Sequence, residues 1–213
     1  MWDFIRDRWD VILYNSLQHG LLVFYGVLAA TVIAIMLALV VTQYPKLEPV
    51  ANVVSAIGLT IPSFATVGLL LAVTTIGNTP ALIAVTFYAI FPIMRNAVVG
   101  LRDVDPVLME SAIGMGMTPL GATARVRLPL AWPVIHAGIR TSVQMSMGIA
   151  AIAAYTLGPG LGEWIFRGLA TAGGANAVNY ALVATVCIVI VALIADLLMM
   201  LLGRLTISKG IRA

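Results

Sequence analysis

Long apolar runs separated by short turn sequences dominate this chain. A helix that crosses a membrane needs about 20 mostly apolar residues, and five stretches are long enough. These predicted spans are residues 20–41, 50–76, 81–99, 133–157 and 180–202. Clusters of glycine, proline and asparagine lie between them, as is typical of turns. The pattern predicts an all-α integral membrane protein with about five transmembrane helices.

The composition agrees with this class and excludes others. Hydrophobic residues make up 61% of the 213 positions and charged residues 10%, whereas a soluble domain carries about 25% charged residues. The net charge is +3 without any basic run, so we expect no nucleic-acid partner. The single cysteine, Cys187, and the histidines His19 and His136 have no second ligand at metal-binding spacing, so we expect no metal site.

The two ends of the chain differ from its apolar body. Residues 1–18 mix acids, bases and aromatics, and no cleavage site follows them. They predict an interfacial helix anchored by Trp2 and Trp9 rather than a signal peptide. Residues 19–203 form one predicted transmembrane domain, because no change of composition divides them, and residues 204–213 form a short tail.

Lysine and arginine predict the orientation. With five spans, nine of these residues fall on one side of the membrane and three on the other. The larger group is Lys46, Arg95, Arg102, Arg125, Arg127, Arg140, Arg204, Lys209 and Arg212, and the smaller is Arg6, Arg8 and Arg167. Because basic residues are enriched in cytoplasmic loops, the loop of residues 101–129 and the C-terminus are predicted to be cytoplasmic, with the N-terminus outside.

The loop of residues 101–129 carries two helix starts of the same kind. Asp105 and Thr118 are each followed by a proline, which is typical of a capping residue and the first helical position. Gly114 and Gly116 supply a turn between the helices, and the second helix is expected to stop before Pro129. The resulting bent pair exposes apolar side chains, which suit a groove on a partner. The alternative is a loop that packs only on its own spans.

The same loop resembles the "EAA" motif of ABC-importer permeases, which reads EAA, three residues, G, nine residues, I, one residue, LP. The match here departs mildly from that motif at Ser111 and at Val126. In that family the loop holds coupling helices that sit on the ATP-hydrolysing subunit. The resemblance therefore implies coupling roles for Glu110, Ser111, Ala112, Gly116, Leu128 and Pro129.

The resemblance reaches from the first to the fifth span and implies a type I ABC-importer permease fold in a bacterial cytoplasmic membrane. It implies ATP-binding subunits that carry ATP and magnesium, a second permease copy or related chain, and an extracytoplasmic binding protein. No cofactor is expected in this chain, which lacks the GxxxxGK[ST] phosphate loop. Segments such as residues 55–63 and 100–106 resemble importers of quaternary-ammonium osmoprotectants, although methionine importers share several of them.

Polar residues inside two spans indicate a candidate solute path. Thr60 and Ser63 flank a proline break, which survives in a bilayer only where protein or water satisfies the freed backbone groups. They either face the path or heal the kink with their hydroxyls. In span 133–157 one face is predicted to turn toward the bundle interior. Its members are Arg140, Gln144, Gly148, Ala151 and Tyr155. This face either lines the path or packs through its small residues.

Two further expectations concern side-chain partners. Arg140 and Asp196 lie at equal depth in their spans, and an unpaired charge there is costly, so we expect an ion pair. The glycine-rich loop of residues 158–179 predicts a re-entrant turn with a half-helix. Its Trp164, together with Tyr155, either holds a quaternary ammonium by cation–π attraction or serves as an interfacial anchor.

Two other function classes fit less well. An intramembrane enzyme needs a nucleophile with a base, or paired carboxylates, at membrane depth, and Asp196 is the only acid inside a predicted span. A channel or secondary transporter has no use for two capped helices in the predicted cytoplasmic loop.

Overall fold

The computed structural model of the chain describes residues 1–156, 158–208 and 210. The α-helices of this part, in chain order, are α1 (Trp2–Arg6), α2 (Trp9–Gln43), α3 (Glu48–Thr60), α4 (Ser63–Val73), α5 (Asn78–Arg102), α6 (Pro106–Gly114), α7 (Pro119–Ala122), α8 (Leu128–Ala153), α9 (Gly162–Ala170) and α10 (Ala177–Thr206). Short 3-10 turns cover Pro45–Leu47 and Ala154–Thr156, and a π-helical turn covers Thr123–Arg127. The all-α prediction is confirmed.

Small residues bring α2, α5 and α8 together at the centre of the bundle. Ala30, Ala34 and Ala38 recur at every fourth position of α2 and are fully buried, so they form one face of that helix. Gly138 of α8 lies against the backbone of α5, where an added Cβ would meet Pro92 O at 3.0 Å. Small side chains of this kind let helix backbones approach closely in a membrane.

Three helices are both long and apolar enough to cross a membrane by themselves, namely α2, α5 and α10. They contain the predicted spans 20–41, 81–99 and 180–202. The first of them begins earlier than expected, because residues 9–18 continue α2 and α1 alone stands as a separate N-terminal helix. Helix α8, with 26 residues, is also long enough to cross a membrane, but its polar face makes it less apolar than the other three.

The predicted span 50–76 is not a straight helix. The segment Pro45–Thr60 and helix α4 meet at an angle of 91°. The segment nevertheless connects the two ends of the bundle, because Glu48 pairs with Arg102 at the end of α5, while Gly77 N donates to Thr156 O just beyond the far end of α8. The segment therefore runs from one end of the bundle to the other as a bent span, which with α2, α5 and α10 gives up to four spans by length and apolar character among the described residues. Helix α8 is long enough to be the fifth.

The expectation that a helix ends before Pro129 is wrong. The π-helical turn Thr123–Arg127 joins α7 to α8 without interruption, and Pro129 lies in the first turn of α8. Pro129 has no amide hydrogen to donate, and it directly follows this wider turn, in which Leu128 N donates to Thr123 O five residues earlier. Helical structure therefore runs from the loop directly into the central helix of the bundle.

Candidate functional site

The surface loop between α5 and α8 contains the short helices α6 and α7, each of which begins at a side-chain cap. This helical pair is called the knob. Asp105 Oδ1 accepts a hydrogen bond from Val107 N at 2.9 Å, and Thr118 Oγ1 accepts one from Gly121 N at 3.1 Å. Both predicted caps are confirmed. They satisfy amide groups that the first turn of a helix leaves without partners, so α6 and α7 begin at defined residues.

The turn between α6 and α7 depends on one glycine rather than two. Gly116 has a φ of +93°, whereas Gly114 is the last residue of α6. Met117 N donates to Ala112 O at 3.1 Å, closing the end of α6 around the left-handed residue, as in a Schellman motif. A side chain at Gly116 would meet nothing within 4 Å, so the backbone conformation alone requires glycine here.

The knob presents an apolar surface that the chain itself does not cover. Large side chains between 46% and 80% exposed belong to Val107, Leu108, Ile113, Met115 and Leu120. Ala112 and Ala122 are buried, at 1% and 0% exposed, and Met109 of α6 packs against the hydrophobic core of the bundle. The predicted coupling residues divide accordingly. Glu110, Ser111, Gly116 and Pro129 are exposed, Leu128 is half-buried and Ala112 faces inward. This surface can seat in a groove of another protein.

The polar face of α8, expected to turn toward the bundle interior, is instead the less buried face of the helix within this chain. Arg140, Gln144, Gly148, Ala151 and Tyr155 are all exposed or half-buried, while positions between them, such as Ser142, Ser146 and Ala150, are buried. Along the half of α8 nearer the knob, this face meets α10. Near the other end, Tyr155 contacts Phe64 of α4, with ring centroids 4.9 Å apart.

The structure brings Arg140 and Asp196 together. Arg140 Nε donates to Asp196 Oδ1 at 2.6 Å, and Nη2 donates to Oδ2 at 2.8 Å. Gln144 Nε2 donates to the same Oδ1 at 2.7 Å. Such a two-point contact fits the planar guanidinium to the carboxylate and fixes their relative orientation. The three residues join the middle of α10, which is otherwise sparsely packed, to α8.

The break in the second span is satisfied by a residue that the sequence analysis did not single out. Tyr88 of α5 is 3% exposed, and its hydroxyl donates to Ile61 O at 2.8 Å. Thr66 Oγ1 lies 2.7 Å from the same hydroxyl. Thr60 bonds within its own helix, to Ile57 O. A tyrosine in an apolar span needs a hydrogen-bond partner for its hydroxyl group. The carbonyl group left without a helical partner beside Pro62 was the signal that could have identified Tyr88.

The glycine-rich loop packs against the start of α2. Gly160 has a φ of +114°, and an added Cβ would lie 2.9 Å from His19 Nδ1 and 3.0 Å from His19 Cα. His19 is fully buried, and its Nε2 donates to Met147 O of α8 at 3.1 Å. The histidine thus holds α2 to α8 at the point where the loop passes over it.

Trp164 and Tyr155 do not form one binding site. Trp164 is 3% exposed and is packed edge-on between Phe4 and Tyr180, with centroids 5.8 and 5.2 Å away. Tyr155 is 53% exposed and contacts Phe64 and Phe166 instead. Of the two alternatives for Trp164, the cation site shared with Tyr155 is excluded, because Trp164 is buried among Phe4 and Tyr180.

Comparison with known proteins gives a consistent result. A family model described as "Binding-protein-dependent transport system inner membrane component" matches residues 23–207. The choline transport system permease protein OpuBB of Bacillus subtilis is 37% identical over 167 residues, covering 78% of this chain and 76% of the relative. The glycine betaine/carnitine/choline permease OpuCB of the same organism is 31% identical over 212 residues, covering 100% and 96%.

Two solved structures share the fold. An inward-facing form of the MetNI methionine ABC transporter superposes with a TM-score of 0.76 at 21% identity, covering 92% of this chain and 95% of that one. An amino acid ABC transporter with histidines gives a TM-score of 0.71 at 18% identity, covering 94% and 96%. At these identities the likeness concerns the fold alone.

Proposed function

Since this chain belongs to the family of binding-protein-dependent transport system inner membrane components, we propose that it is the permease subunit of an ATP-driven importer of quaternary-ammonium osmoprotectants, such as glycine betaine, choline or carnitine. The capped apolar knob of α6 and α7 carries this proposal, because it is a rigid surface built for a partner and joined directly to the central helix α8. The chain supplies shape and movement, and it has no catalytic site of its own.

The partners follow from the family. The ATP-binding subunits bind the knob, and they also hold the ATP and magnesium. A second permease copy or a related chain completes the path, and an extracytoplasmic binding protein delivers the solute. The knob then lies in the cytoplasm of a bacterial cell, with the C-terminus on the same side and the N-terminus outside, as the distribution of basic residues favours.

Within the knob, Glu110 and Ser111 are exposed and face the ATP-binding subunit, while Ala112 is buried within the chain. Gly116 shapes the turn, and Leu128 with Pro129 connects that turn to α8. When the ATP-binding subunits close, they displace the knob, and the continuous helical connection passes the displacement to α8. The bundle then exchanges inward-open and outward-open states.

We assign the solute path to the less buried face of α8 and the adjoining break in the second span. Thr60, Ser63, Gln144 and Tyr155 are accessible there. Arg140 lies on the same face, and its pairing with Asp196 favours a role in holding α10 over a role in contacting solute. The osmoprotectant class is supported by the transport functions of the relatives at 37% and 31% identity, whereas the likeness to the solved methionine transporter concerns the fold alone.

The direct test is reconstitution of the complete importer in liposomes. ATPase activity and uptake are measured with binding protein loaded in turn with glycine betaine, choline, carnitine or methionine. Stimulation and uptake with a quaternary-ammonium solute are expected. Uptake of methionine alone would refute the osmoprotectant assignment, and failure to bind any ATP-binding subunit would refute the importer assignment.

A further inference from the structure

Two aromatic clusters lie on opposite faces of α9. Trp164 and Phe166 are two positions apart, so their side chains point about 200° apart around the helix. The first cluster, called the closed trio, consists of Phe4, Trp164 and Tyr180. The second, called the open trio, consists of Phe64, Tyr155 and Phe166. The two trios differ in exposure and in the charges beside them.

The closed trio is occupied by the protein's own cations. The guanidinium of Arg8 lies 4.4 Å from the Phe4 ring centroid and 5.9 Å from that of Tyr180. The guanidinium of Arg167 lies 4.7 Å from the Tyr180 centroid. These distances are those of cation–π contacts. Phe4 and Tyr180 already hold cations, and Trp164 is buried between them, so the cluster serves to attach α1 to α9 and α10.

The open trio has exposed rings and a negative charge nearby. Phe64 and Tyr155 are 51% and 53% exposed, and Tyr155 stands 4.9 Å from Phe64 and 5.4 Å from Phe166 between centroids. Among the cation–π contacts of the described residues, none involves these three rings. Glu163 lies three positions before Phe166, so it shares that face of α9, and it is exposed.

The open trio also lies on the proposed path. Phe64 follows Ser63 at the break of the second span, and Tyr155 lies in the 3-10 turn directly after α8, where it continues the less buried face of that helix. Aromatic faces attract cations whose charge is spread over methyl groups, and a nearby carboxylate adds long-range attraction. Contact with lipid tails would account for the exposed rings, but it would not account for an exposed carboxylate on the same face of α9.

We propose that the open trio, with Glu163 beside it, is a binding site for the quaternary-ammonium head group of the transported solute. The site lies at the end of the path opposite the knob, where solute released by the binding protein enters. The inference rests on the proposed function and deepens it, since it names the chemical group that the permease itself recognises.

The test uses the complete reconstituted importer with saturating loaded binding protein. Tyr155→Leu and Phe166→Leu keep apolar bulk and remove the ring, so uptake of choline or glycine betaine should fall at least about fivefold. ATPase stimulation should stay within about twofold of wild type, because the knob is untouched. Tyr155→Phe keeps an aromatic ring, so its uptake should exceed that of Tyr155→Leu. Phe24→Leu is the matched control, since Phe24 is an exposed aromatic of α2 whose described ring partner is Tyr25.

A graded variant separates cation–π attraction from packing. Phenylalanine analogues with increasing fluorination at position 166 keep the ring and withdraw its electron density, so uptake should decline stepwise. Equal uptake in the leucine variants and wild type would overturn this inference alone. Loss of permease pairing or of ATPase assembly in those variants would also overturn it, by showing an interface between chains. A wild-type importer that carries only methionine would overturn both this inference and the proposed function.

Discussion

Arg140 on α8 and Asp196 on α10 meet in a two-point ion pair, which Gln144 completes by donating to the same carboxylate. Only 11% of the most apolar stretch of α10 is buried within the chain. The helix therefore depends on a few specific contacts for its position. The ion pair supplies one of them, and Trp132 Nε1 bonded to Thr206 Oγ1 at 2.8 Å supplies another nearer the knob.

Asp196→Asn is expected to lower the melting temperature of the purified permease by several degrees. The substitution keeps the shape of the side chain but leaves the charge of Arg140 without its partner, which is costly inside a membrane. Thermal unfolding in detergent measures the effect. Asp10→Asn, at an exposed acid in the first turn of α2, is the control. Equal melting temperatures for Asp196→Asn and wild type would contradict a structural role for the pair.

Gly160→Ala is expected to destabilise the permease more than Gly173→Ala. Both glycines have a positive φ, +114° and +86°, so alanine at either costs about 1 kcal/mol or more in backbone strain. A Cβ at position 173 meets nothing within 4 Å, whereas one at position 160 collides with His19, adding about 1–3 kcal/mol. Unfolding midpoints of the two variants measure the difference. Equal losses of stability in the two variants would show that His19 moves aside without an energetic penalty.

Gly116→Ala is expected to weaken binding of the ATP-binding subunit, whereas Gly114→Ala should not. Neither position has any atom within 4 Å of an added Cβ, so steric conflict is excluded for both. Only Gly116 has a positive φ, and alanine there distorts the turn between α6 and α7. Alanine at position 114 continues α6 and favours it by about 0.5–1 kcal/mol.

A pull-down with the ATP-binding subunit measures this pair of variants. Gly116→Asp, which adds a charge to the same turn, should abolish binding. Retained binding in both Gly116 variants would contradict a coupling role for the turn.

Tyr88→Phe is expected to destabilise the permease by about 1–3 kcal/mol, because it removes the donor to Ile61 O and leaves that carbonyl without its partner. Tyr25→Phe is the matched control, since Tyr25 is 55% exposed on α2. Denaturation of both variants against wild type gives the difference. A loss no larger than that of the control would show that water or another group satisfies the break.

Features that depend on a few neighbouring residues were predictable. The caps at Asp105 and Thr118, the turn at Gly116 and the break at Pro62 each follow from local backbone chemistry, and the structure contains all of them. The pair of Arg140 with Asp196 was also predictable, because equal depth and the cost of an unpaired charge leave few alternatives.

Features that depend on how distant helices pack were not predictable. The π-helical turn before Pro129 was missed because its bonding pattern is set by the junction of α7 with α8 and not by a residue type. Tyr88 was missed because its partner lies 27 positions earlier in the chain. A site shared by Trp164 and Tyr155 was one of two alternatives, because both are aromatic and near each other in sequence, yet the structure packs them into different clusters.

By itself, the sequence determined that the chain is helical, that it crosses a membrane and that its long polar loop is a capped pair of helices. Hydropathy, capping and proline chemistry act over a few residues and need no knowledge of the fold. The tertiary structure alone decided which hydroxyl group donates to the carbonyl at the break of the second span. It also decided which aromatic rings contact arginines and which remain exposed. Those outcomes depend on contacts between segments far apart in the chain, which arise only when the helices are packed.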